Sequence, residues 1–323
     1  MRNVLVTGGA GFIGSALVRG LLDESGVKRV IVVDNLESGK QENLADIAGK
    51  IEFHETDVRD YAALEPLFDG VDVVFHLAAI ASVPRSIDEP QLCHDVNVNG
   101  TFHVLRAAVR GKAKKVVYAA SSAAYGNAPG LPKTEDMLPD PRSPYAVQKL
   151  IGEFYMRTFQ QNFGVETTSL RYFNVFGPRQ DPASPYSGVL SIFCTRILER
   201  RSPTIFGDGE QSRDFIYVDD IVALNIEAAR TPSASGRTYN AGCGRRIRLN
   251  EVWDLLQQIE GVELPAEHGP DRPGDVRHSQ ADISRARQDL GFEPQVDFEE
   301  GLRKTLDWFR ESAPAAQRPE PEM

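Results

Sequence analysis

The sequence has few cysteines and no long apolar run. Its three cysteines, Cys93, Cys194 and Cys243, are widely separated, which is typical of reduced thiols and argues against a disulfide framework or a cysteine-based metal site. No stretch reaches the roughly 18–20 apolar residues of a membrane-spanning helix. Because the strand-like segment Asn3–Thr7 leads directly into a glycine motif, no signal peptide is expected. These features predict a cytoplasmic protein that does not enter a membrane.

An excess of positive charge is also missing. Lysine and arginine number 36 against 46 aspartates and glutamates, so the formal net charge is −10. Such a chain has no general attraction for nucleic acid, and any phosphate-bearing ligand has to be held locally. The six histidines lack the spacing of metal ligands, so no metal site is expected.

The chain has 323 residues, of which 41% are hydrophobic, enough for one large domain or two interlocked ones. Apolar strand-like runs alternate with helical patterns up to about residue 173, which predicts an α/β fold of Rossmann type, a doubly wound parallel sheet with helices on both faces. We expect a cofactor domain over 1–173, with a segment near 214–241 returning to it. Residues 174–213 and 242–311 are expected to form a smaller α/β substrate-binding lobe, and 312–323 (SAPAAQRPEPEM) a disordered tail.

A glycine motif follows the first predicted strand. Gly8, Gly11 and Gly14 lie three residues apart in TGGAGFIGS, between a strand and a helix. Glycines allow the backbone to approach a pyrophosphate, and the helix N-terminus offers N–H groups to it. Asp34 ends the second strand, where a carboxylate can bind the adenosine ribose and repel a 2′-phosphate. Because Asn35 follows rather than an arginine, the pattern favours NAD over NADP.

A tyrosine and a lysine, Tyr145 and Lys149, are spaced by one helical turn in SPYAVQK. An ammonium beside the phenol stabilises the phenolate and lowers the tyrosine pKa, so Tyr145 becomes a candidate general base. Ser121 and Ser122 come just after the strand-like run Val116–Ala119, at the sheet edge where ligands bind. Ser121 is therefore a candidate to bridge a substrate hydroxyl and the tyrosine oxygen.

Taken together, these motifs carry a resemblance to a known family. The chain resembles the extended short-chain dehydrogenase/reductases of the nucleotide-sugar epimerase/dehydratase family over about Asn3–Phe309, and within it the UDP-sugar 4-epimerases, particularly those of the bacterial UDP-N-acetylglucosamine type. The matching segments are TGGAGFIG, Asp34–Asn35, HLAA, SVPRSI, NVNGT, SPYAVQK, LRYFNVFGPRQ, GDGEQSRDF and GDVRHSQAD.

The resemblance implies which residues contact NAD and the substrate. For NAD, beyond the glycines, Asp34, Asn35, Tyr145 and Lys149, it implies Phe12, Ile13, Asp57, Val58, Leu77, Ala78, Ala81, Tyr172 and Phe173. For a UDP-sugar it implies Ser121, Ser122, Asn174, Val189, Phe206, Arg213, Arg272, Asp275 and Ser279, with the two arginines on the pyrophosphate.

By the same resemblance, the expected reaction is a reversible 4-epimerisation of a UDP-hexose through a transient 4-keto sugar. Ser279 replaces the bulky tyrosine of relatives restricted to UDP-glucose and UDP-galactose, so N-acetylated sugars are expected to fit as well. Relatives commonly dimerise through a four-helix bundle, here built from Asp95–Arg110 and Tyr145–Gln161.

Two alternatives stay open. One is a nucleotide-sugar 4,6-dehydratase, decarboxylase or uronate epimerase, although dehydratases carry an Asp-Glu pair after the catalytic hydroxyl and Ser122-Ala123 are not acidic here. The other is a non-catalytic NAD-binding regulator built on the same fold, because a fold does not guarantee chemistry.

Overall fold

The structure is a computed structural model that describes residues 1–181, 188–271 and 276–312. Within these ranges, no helix is long and apolar enough to cross a lipid bilayer. The strands, in chain order, are β1 (Asn3–Thr7), β2 (Arg29–Asp34), β3 (Glu52–Glu55), β4 (Val73–His76), β5 (Lys115–Ser121), β6 (Glu166–Tyr172), β7 (Asn174–Phe176), β8 (Thr204–Phe206), β9 (Ser212–Arg213), β10 (Phe215–Tyr217), β11 (Arg237–Ala241), β12 (Ile247–Arg248) and β13 (Glu267–Gly269).

The α-helices surround these strands. In chain order they are α1 (Phe12–Leu22), α2 (Tyr61–Leu64), α3 (Val83–Asp88), α4 (Pro90–His94), α5 (Thr101–Arg110), α6 (Pro144–Phe163), α7 (Val189–Leu198), α8 (Val218–Arg230), α9 (Leu249–Glu260), α10 (Ser284–Leu290) and α11 (Phe298–Ser312).

Seven strands form one parallel sheet in the order β11-β6-β5-β4-β1-β2-β3. Side chains on a strand alternate between its two faces, and Val4 and Val6 of β1 pack in one apolar cluster whereas Leu5 packs in the other. Both faces of the sheet are therefore covered, which confirms the predicted doubly wound α/β fold.

The remaining strands pair outside the central sheet. They form three small two-stranded sheets, β10 with β7, β12 with β9, and β13 with β8. Strand β11, by contrast, lies at the edge of the central sheet beside β6. This pairing supports the predicted return of residues 214–241, while the division into a cofactor domain and a lobe stays a prediction.

Several element boundaries differ from the expectation. The helix predicted over Asp95–Arg110 begins with a π-helical turn at Asp95–Gly100, and α5 starts after it. In a π-helical turn the backbone hydrogen bonds span five residues, one more than in an α-helix. Helix α11 continues to Ser312, one residue into the predicted tail, and the rest of that tail lies outside the described residues.

Candidate active site

A cavity of about 770 Å³ lies at the carboxyl ends of the strands of the central sheet. The segments that follow β1, β2, β4, β5 and β6 all contribute to its lining. Strands β1 and β4 are neighbours in the sheet. From β1 the chain continues to β2 on one side of this pair, and from β4 it continues to β5 on the other side. This is the switch point at which open α/β sheets bind ligands.

The glycine motif closes tightly under the cavity. A Cβ atom on Gly14 would lie 2.0 Å from the carbonyl oxygen of Gly8, and one on Gly8 would lie 2.7 Å from the backbone nitrogen of Ala78. Gly8 also has a φ of +72°, which side chains other than glycine rarely adopt. The backbone of Gly8, Gly11 and Gly14 thus lines the cavity at the start of α1 without Cβ atoms, as close approach of a pyrophosphate requires, and these residues fit NAD.

Asp34 holds the loop beside the motif. Its carboxylate accepts hydrogen bonds of 2.9 Å from the backbone N–H groups of Ala10 and Leu36. Burial raises the pKa of Asp34. Asn35 donates to Asp57 at 2.7 Å, and the Arg59 guanidinium lowers the pKa of Asp57 to about 2. Carboxylates therefore line the end of the cavity where the adenosine of NAD is expected.

His76 ties the strand end to its surroundings. It is fully buried, with Nδ1 2.8 Å from the Thr7 hydroxyl and Nε2 2.9 Å from the Thr101 hydroxyl. Thr101 donates its own proton to the Asn97 carbonyl, so Nε2 carries the proton of the imidazole ring. Burial lowers the pKa of His76 to about 3. Both ring nitrogens of His76 are therefore occupied by hydroxyl partners, and the neutral ring joins β4 to β1 and to the helical segment around Thr101.

Tyr145 and Lys149 lie one turn apart at the start of α6. Ser143 caps this helix, accepting a hydrogen bond from the N–H of Ala146 at 3.2 Å. Tyr145 and Ser121, the last residue of β5, both line the cavity, and the Ser121 hydroxyl acts to lower the pKa of Tyr145. The Nζ atom of Lys149 donates to the Ala119 carbonyl at 2.8 Å. The structure thus brings together the three residues that sequence motifs placed in the catalytic site.

The expected lowering of the tyrosine pKa is not observed here. Burial raises the pKa of Tyr145, and only the Ser121 hydroxyl acts in the opposite direction. Burial also lowers the pKa of Lys149 to about 7. The reason is that desolvation penalises both charged forms, and the ammonium is bonded to a backbone carbonyl. A phenolate at Tyr145 therefore needs a further positive charge in the cavity.

The expected NAD contacts all line this cavity: Gly8, Gly11, Phe12, Ile13, Gly14, Asp34, Asn35, Asp57, Val58, Leu77, Ala78, Ala81, Tyr145, Lys149, Tyr172 and Phe173. Of the expected substrate contacts, Ser121, Ser122, Asn174, Arg213 and Ser279 also line it. The structure therefore brings two groups of residues, far apart in sequence, to one continuous cavity.

Two of the expected substrate residues that the structure describes are not among the lining. Val189 begins α7 and packs against the core, and Phe206, at the end of β8, is 44% exposed. Neither lines the cavity of about 770 Å³. Arg272 and Asp275 lie outside the described residues. Gln180 and Gly188 also line the cavity, one on each side of the undescribed residues 182–187.

A buried aspartate, Asp214, lies next to Ser279 at the end of the cavity where the sugar is expected. Asp214 accepts hydrogen bonds from the N–H groups of Cys243, Gly244 and Ala281, at 2.7, 2.9 and 2.9 Å. Its own N–H faces the Ser279 hydroxyl at 3.5 Å. Burial raises the pKa of Asp214 to about 6. This carboxyl therefore holds the segment that carries Ser279 against the strands below it.

Sequence reasoning missed further residues at the site. Lys133 is a buried lysine in the cavity wall, and its ammonium donates to the Ala128 carbonyl. Ser86 and Asn97 are buried and contact the start of α6, Ser86 at Tyr145 and Asn97 at Gln148. No periodicity or spacing in the sequence indicates these contacts, because each depends on tertiary structure.

Comparisons with known proteins agree with this geometry. Residues 4–242 match the NAD dependent epimerase/dehydratase family. A UDP-glucose 4-epimerase of Mycolicibacterium smegmatis is 40% identical over 95% of this chain and 98% of its own.

Two solved structures are similar over nearly the whole chain. A UDP-N-acetylglucosamine 4-epimerase from Methanobrevibacter ruminantium in complex with UDP-N-acetylmuramic acid has a TM-score of 0.92 at 41% identity, covering 97% of this chain and 99% of that one. A Thermus thermophilus UDP-glucose 4-epimerase in complex with NAD has a TM-score of 0.87 at 36% identity, covering 97% and 100%.

Proposed function

Because this chain belongs to the NAD-dependent epimerase/dehydratase family, we propose that it inverts the configuration at C4 of UDP-hexoses. The observation that carries the proposal is that Ser121, Tyr145 and Lys149 line the same cavity as the glycine motif, with Lys149 one helical turn after Tyr145. A hydroxyl relay, a general base and a cation are the groups that oxidation of a secondary alcohol requires.

The residues have distinct roles in this reaction. Tyr145, as phenolate, removes the proton of the sugar 4-hydroxyl, and Ser121 positions that hydroxyl. Bound NAD supplies a hydride acceptor for C4, the returning hydride, and a positive charge next to the phenol. The 4-keto sugar turns in the cavity before hydride returns to its other face, and Tyr145 gives the proton back. Lys149 holds the ribose of the cofactor and stabilises the phenolate.

The substrate is proposed to lie along the second half of the cavity. Arg213 lines it and presents a guanidinium suited to the UDP pyrophosphate. Asn174 and Ser122 are the polar groups expected on the sugar, next to Ser279 in the same lining. A serine leaves more room there than a tyrosine. We therefore include UDP-GlcNAc and UDP-GalNAc among the substrates, with UDP-Glc and UDP-Gal.

A homodimer and a cytoplasmic location belong to the same proposal. Helix α6 exposes Val147 (42%) and Phe154 (51%), which lie on one face because they are seven residues apart. Together with the helical segment over 95–110, this face is suited to a four-helix bundle between two copies of the chain. The unpaired thiols of Cys93, Cys194 and Cys243 favour a reducing compartment.

The experiment is a product assay by NMR with UDP-Glc, UDP-Gal, UDP-GlcNAc, UDP-GalNAc and UDP-glucuronic acid. We expect C4 epimers to form from the neutral sugars, and Tyr145→Phe to retain no more than a few per cent of wild-type turnover. A stable 4-keto-6-deoxy product from UDP-GlcNAc or dTDP-glucose would instead establish a dehydratase. Loss of the substrate carboxyl would establish a decarboxylase.

The regulator alternative is tested by absorbance. A protein that only senses NAD binds it and shows no transient NADH-like absorbance with any UDP-sugar. Wild-type turnover of any of the five sugars would exclude that alternative.

A further inference from the structure

One hydrogen bond joins the start of α6 to a residue of another helix, α3. The backbone N–H of Tyr145 donates to the hydroxyl of Ser86 at 3.1 Å, although the two residues are 59 positions apart in the sequence. The Ser86 hydroxyl donates its own proton to the Val83 carbonyl at 2.7 Å. Ser86 is fully buried, and its hydroxyl has a single proton, so its orientation is determined by these two contacts.

The other groups at the start of α6 are satisfied locally. Pro144 has no N–H, and the N–H groups of Ala146 and Val147 are bonded to the side chain and the carbonyl of Ser143. Tyr145 is thus the residue of this first turn whose N–H is held by a different element. The element is α3, which lies in the segment leaving β4 along the cavity.

A second buried contact holds the same segment against α6. Asn97 pairs with the backbone of Ile80, accepting from its N–H at 2.8 Å and donating to its carbonyl at 3.1 Å. The same amide donates to Gln148 of α6 at 2.8 Å. The segment is therefore fastened at two points, and Ser86 is the one that contacts the backbone of the reacting tyrosine.

Arg85, the residue before Ser86, is held in place by contacts of its own. The Arg85 guanidinium is bonded to Glu89 at 3.0 Å and to Glu37 at 2.5 Å, and Glu37 lines the cavity beside Asp34. The Ser82 hydroxyl accepts from the N–H of Arg85 at 3.1 Å and caps the N-terminus of α3. These contacts leave Ser86 little freedom to follow Tyr145 if the helix start moves.

We propose that Ser86 is a positioning residue for the epimerisation: its hydroxyl holds the backbone of Tyr145, and thereby keeps the phenol within reach of Ser121. The inference rests on the proposed function, because turnover is its main readout. A small displacement of a reacting group costs rate far more than it costs substrate affinity, and about 1 Å can cost 100-fold.

The test compares Ser86→Ala with a matched control, Thr167→Val. Thr167 lies on β6, and its buried hydroxyl donates at 2.9 Å to the carbonyl of Met156 on α6; neither residue lines the cavity. We expect Ser86→Ala to lower kcat by about 10- to 100-fold with KM changed less than threefold. Thr167→Val should keep kcat within twofold of wild type. Equal kcat values for the two variants would overturn the proposal.

A pH profile and a double mutant separate positioning from loss of stability. The Ser121 hydroxyl lowers the pKa of Tyr145, so a displaced phenol should titrate higher and the rising limb of kcat should move to higher pH in Ser86→Ala. In a Ser121→Ala background, Ser86→Ala should cost less than threefold. The same factor in both backgrounds would show that Ser86 does not act through this pair.

Two outcomes keep the inference distinct from the proposed function. Wild-type protein without turnover on any UDP-sugar contradicts the proposed function, whereas active wild type with an unaffected Ser86→Ala contradicts only the role of Ser86. If Ser86→Ala does not fold, Ser86→Cys replaces it, because a thiol is a weak acceptor and should reduce kcat in the same direction. An unchanged kcat in Ser86→Cys would then overturn the proposal.

Discussion

The Nζ atom of Lys149 lies 2.8 Å from the carbonyl oxygen of Ala119, two residues before Ser121 on the same strand. This bond joins α6 to the end of β5, close in sequence to Tyr145 and Ser121 in the cavity lining. It also places an ammonium 5.0 Å from the ring centre of Tyr118, which adds a favourable cation–π contact. The lysine thus connects the helix, the strand and the cavity.

Replacing this lysine should remove the charge and keep the fold. We expect Lys149→Met to lower kcat by about 10²- to 10⁴-fold, because the phenolate loses its cation. The control is Lys115→Met at the other end of β5, where the ammonium donates to the Thr231 carbonyl at 2.6 Å. Steady-state kinetics should show kcat within twofold for the control. Comparable losses in both variants would contradict the assignment of Lys149.

The size of the sugar pocket is tested at Ser279. Ser279→Tyr should abolish turnover of UDP-GlcNAc and UDP-GalNAc while UDP-Gal is still epimerised, because a phenol ring occupies the space that a 2-acetamido group needs. Coupled assays on matched neutral and N-acetylated substrates measure the ratio. Equal losses on both sugars, or no loss on either, would show that Ser279 is not a gate.

The glycine motif is tested by the addition of one methyl group. In Gly14→Ala the new Cβ would meet the Gly8 carbonyl oxygen at 2.0 Å, so the loop has to open. We expect at least a tenfold weaker affinity for NAD, measured by calorimetry on NAD-depleted protein, since overpacking typically costs about 1–3 kcal/mol. Gly49→Ala, with nothing within 4 Å of its Cβ, should bind as wild type. Unchanged affinity in Gly14→Ala would exclude a close approach of NAD there.

Stability should depend on pH through His76. Its pKa is lowered from 6.5 to about 3 in the folded state, so below pH 6.5 the unfolded chain binds a proton that the folded chain does not. The free energy of unfolding therefore falls as pH decreases through this range. Between pH 7 and pH 5 we expect wild type to lose about 2 kcal/mol more than His76→Gln. Urea denaturation at the two pH values measures this difference, and parallel losses would refute it.

The proposed dimer interface is tested on α6. Phe154→Glu places a charge at a side chain that is 51% exposed in the single chain, and should convert a dimer into a species near the chain mass of 35.7 kDa. Ile192→Glu on α7, at 42% exposure, is the control and should remain dimeric. Sedimentation velocity at micromolar concentration distinguishes them. Wild type that sediments as a monomer would exclude the dimer.

Most strands of the central sheet could be predicted because each is a run of consecutive apolar residues. Runs such as RVIVVD of β2 are apolar throughout, as expected for strands buried on both faces. Strand β11 has the sequence RTYNA, which mixes charge and amide with two apolar residues, and its pairing with β6 depends on the whole sheet being present. The π-helical turn at Asp95–Gly100 likewise has no pattern that separates it from an ordinary helix.

In the candidate active site, too, motifs within one segment could be predicted from the sequence, whereas contacts between distant segments could not. The glycine motif and the Tyr145–Lys149 pair lie within single segments, so their spacing alone indicates the chemistry. The bond between Ser86 and Tyr145 joins segments 59 residues apart, and no local rule predicts it. The direction of the Tyr145 pKa was also wrong at the sequence level, because it depends on how deeply the fold buries the phenol.

Because β11 is the edge strand beside β6, a truncated chain keeps the whole central sheet only if it includes β11. Strand β6 is covered on one side by β5 and on the other by β11, which ends at Ala241, and residues Thr167–Tyr172 are all buried. A fragment ending at residue 173 would therefore leave the backbone N–H and C=O groups on one side of β6 without a strand partner, as an open edge. Such edges recruit strands from other molecules, so this fragment should aggregate when expressed alone. During synthesis, the cofactor half can complete its sheet only after residue 241 has left the ribosome.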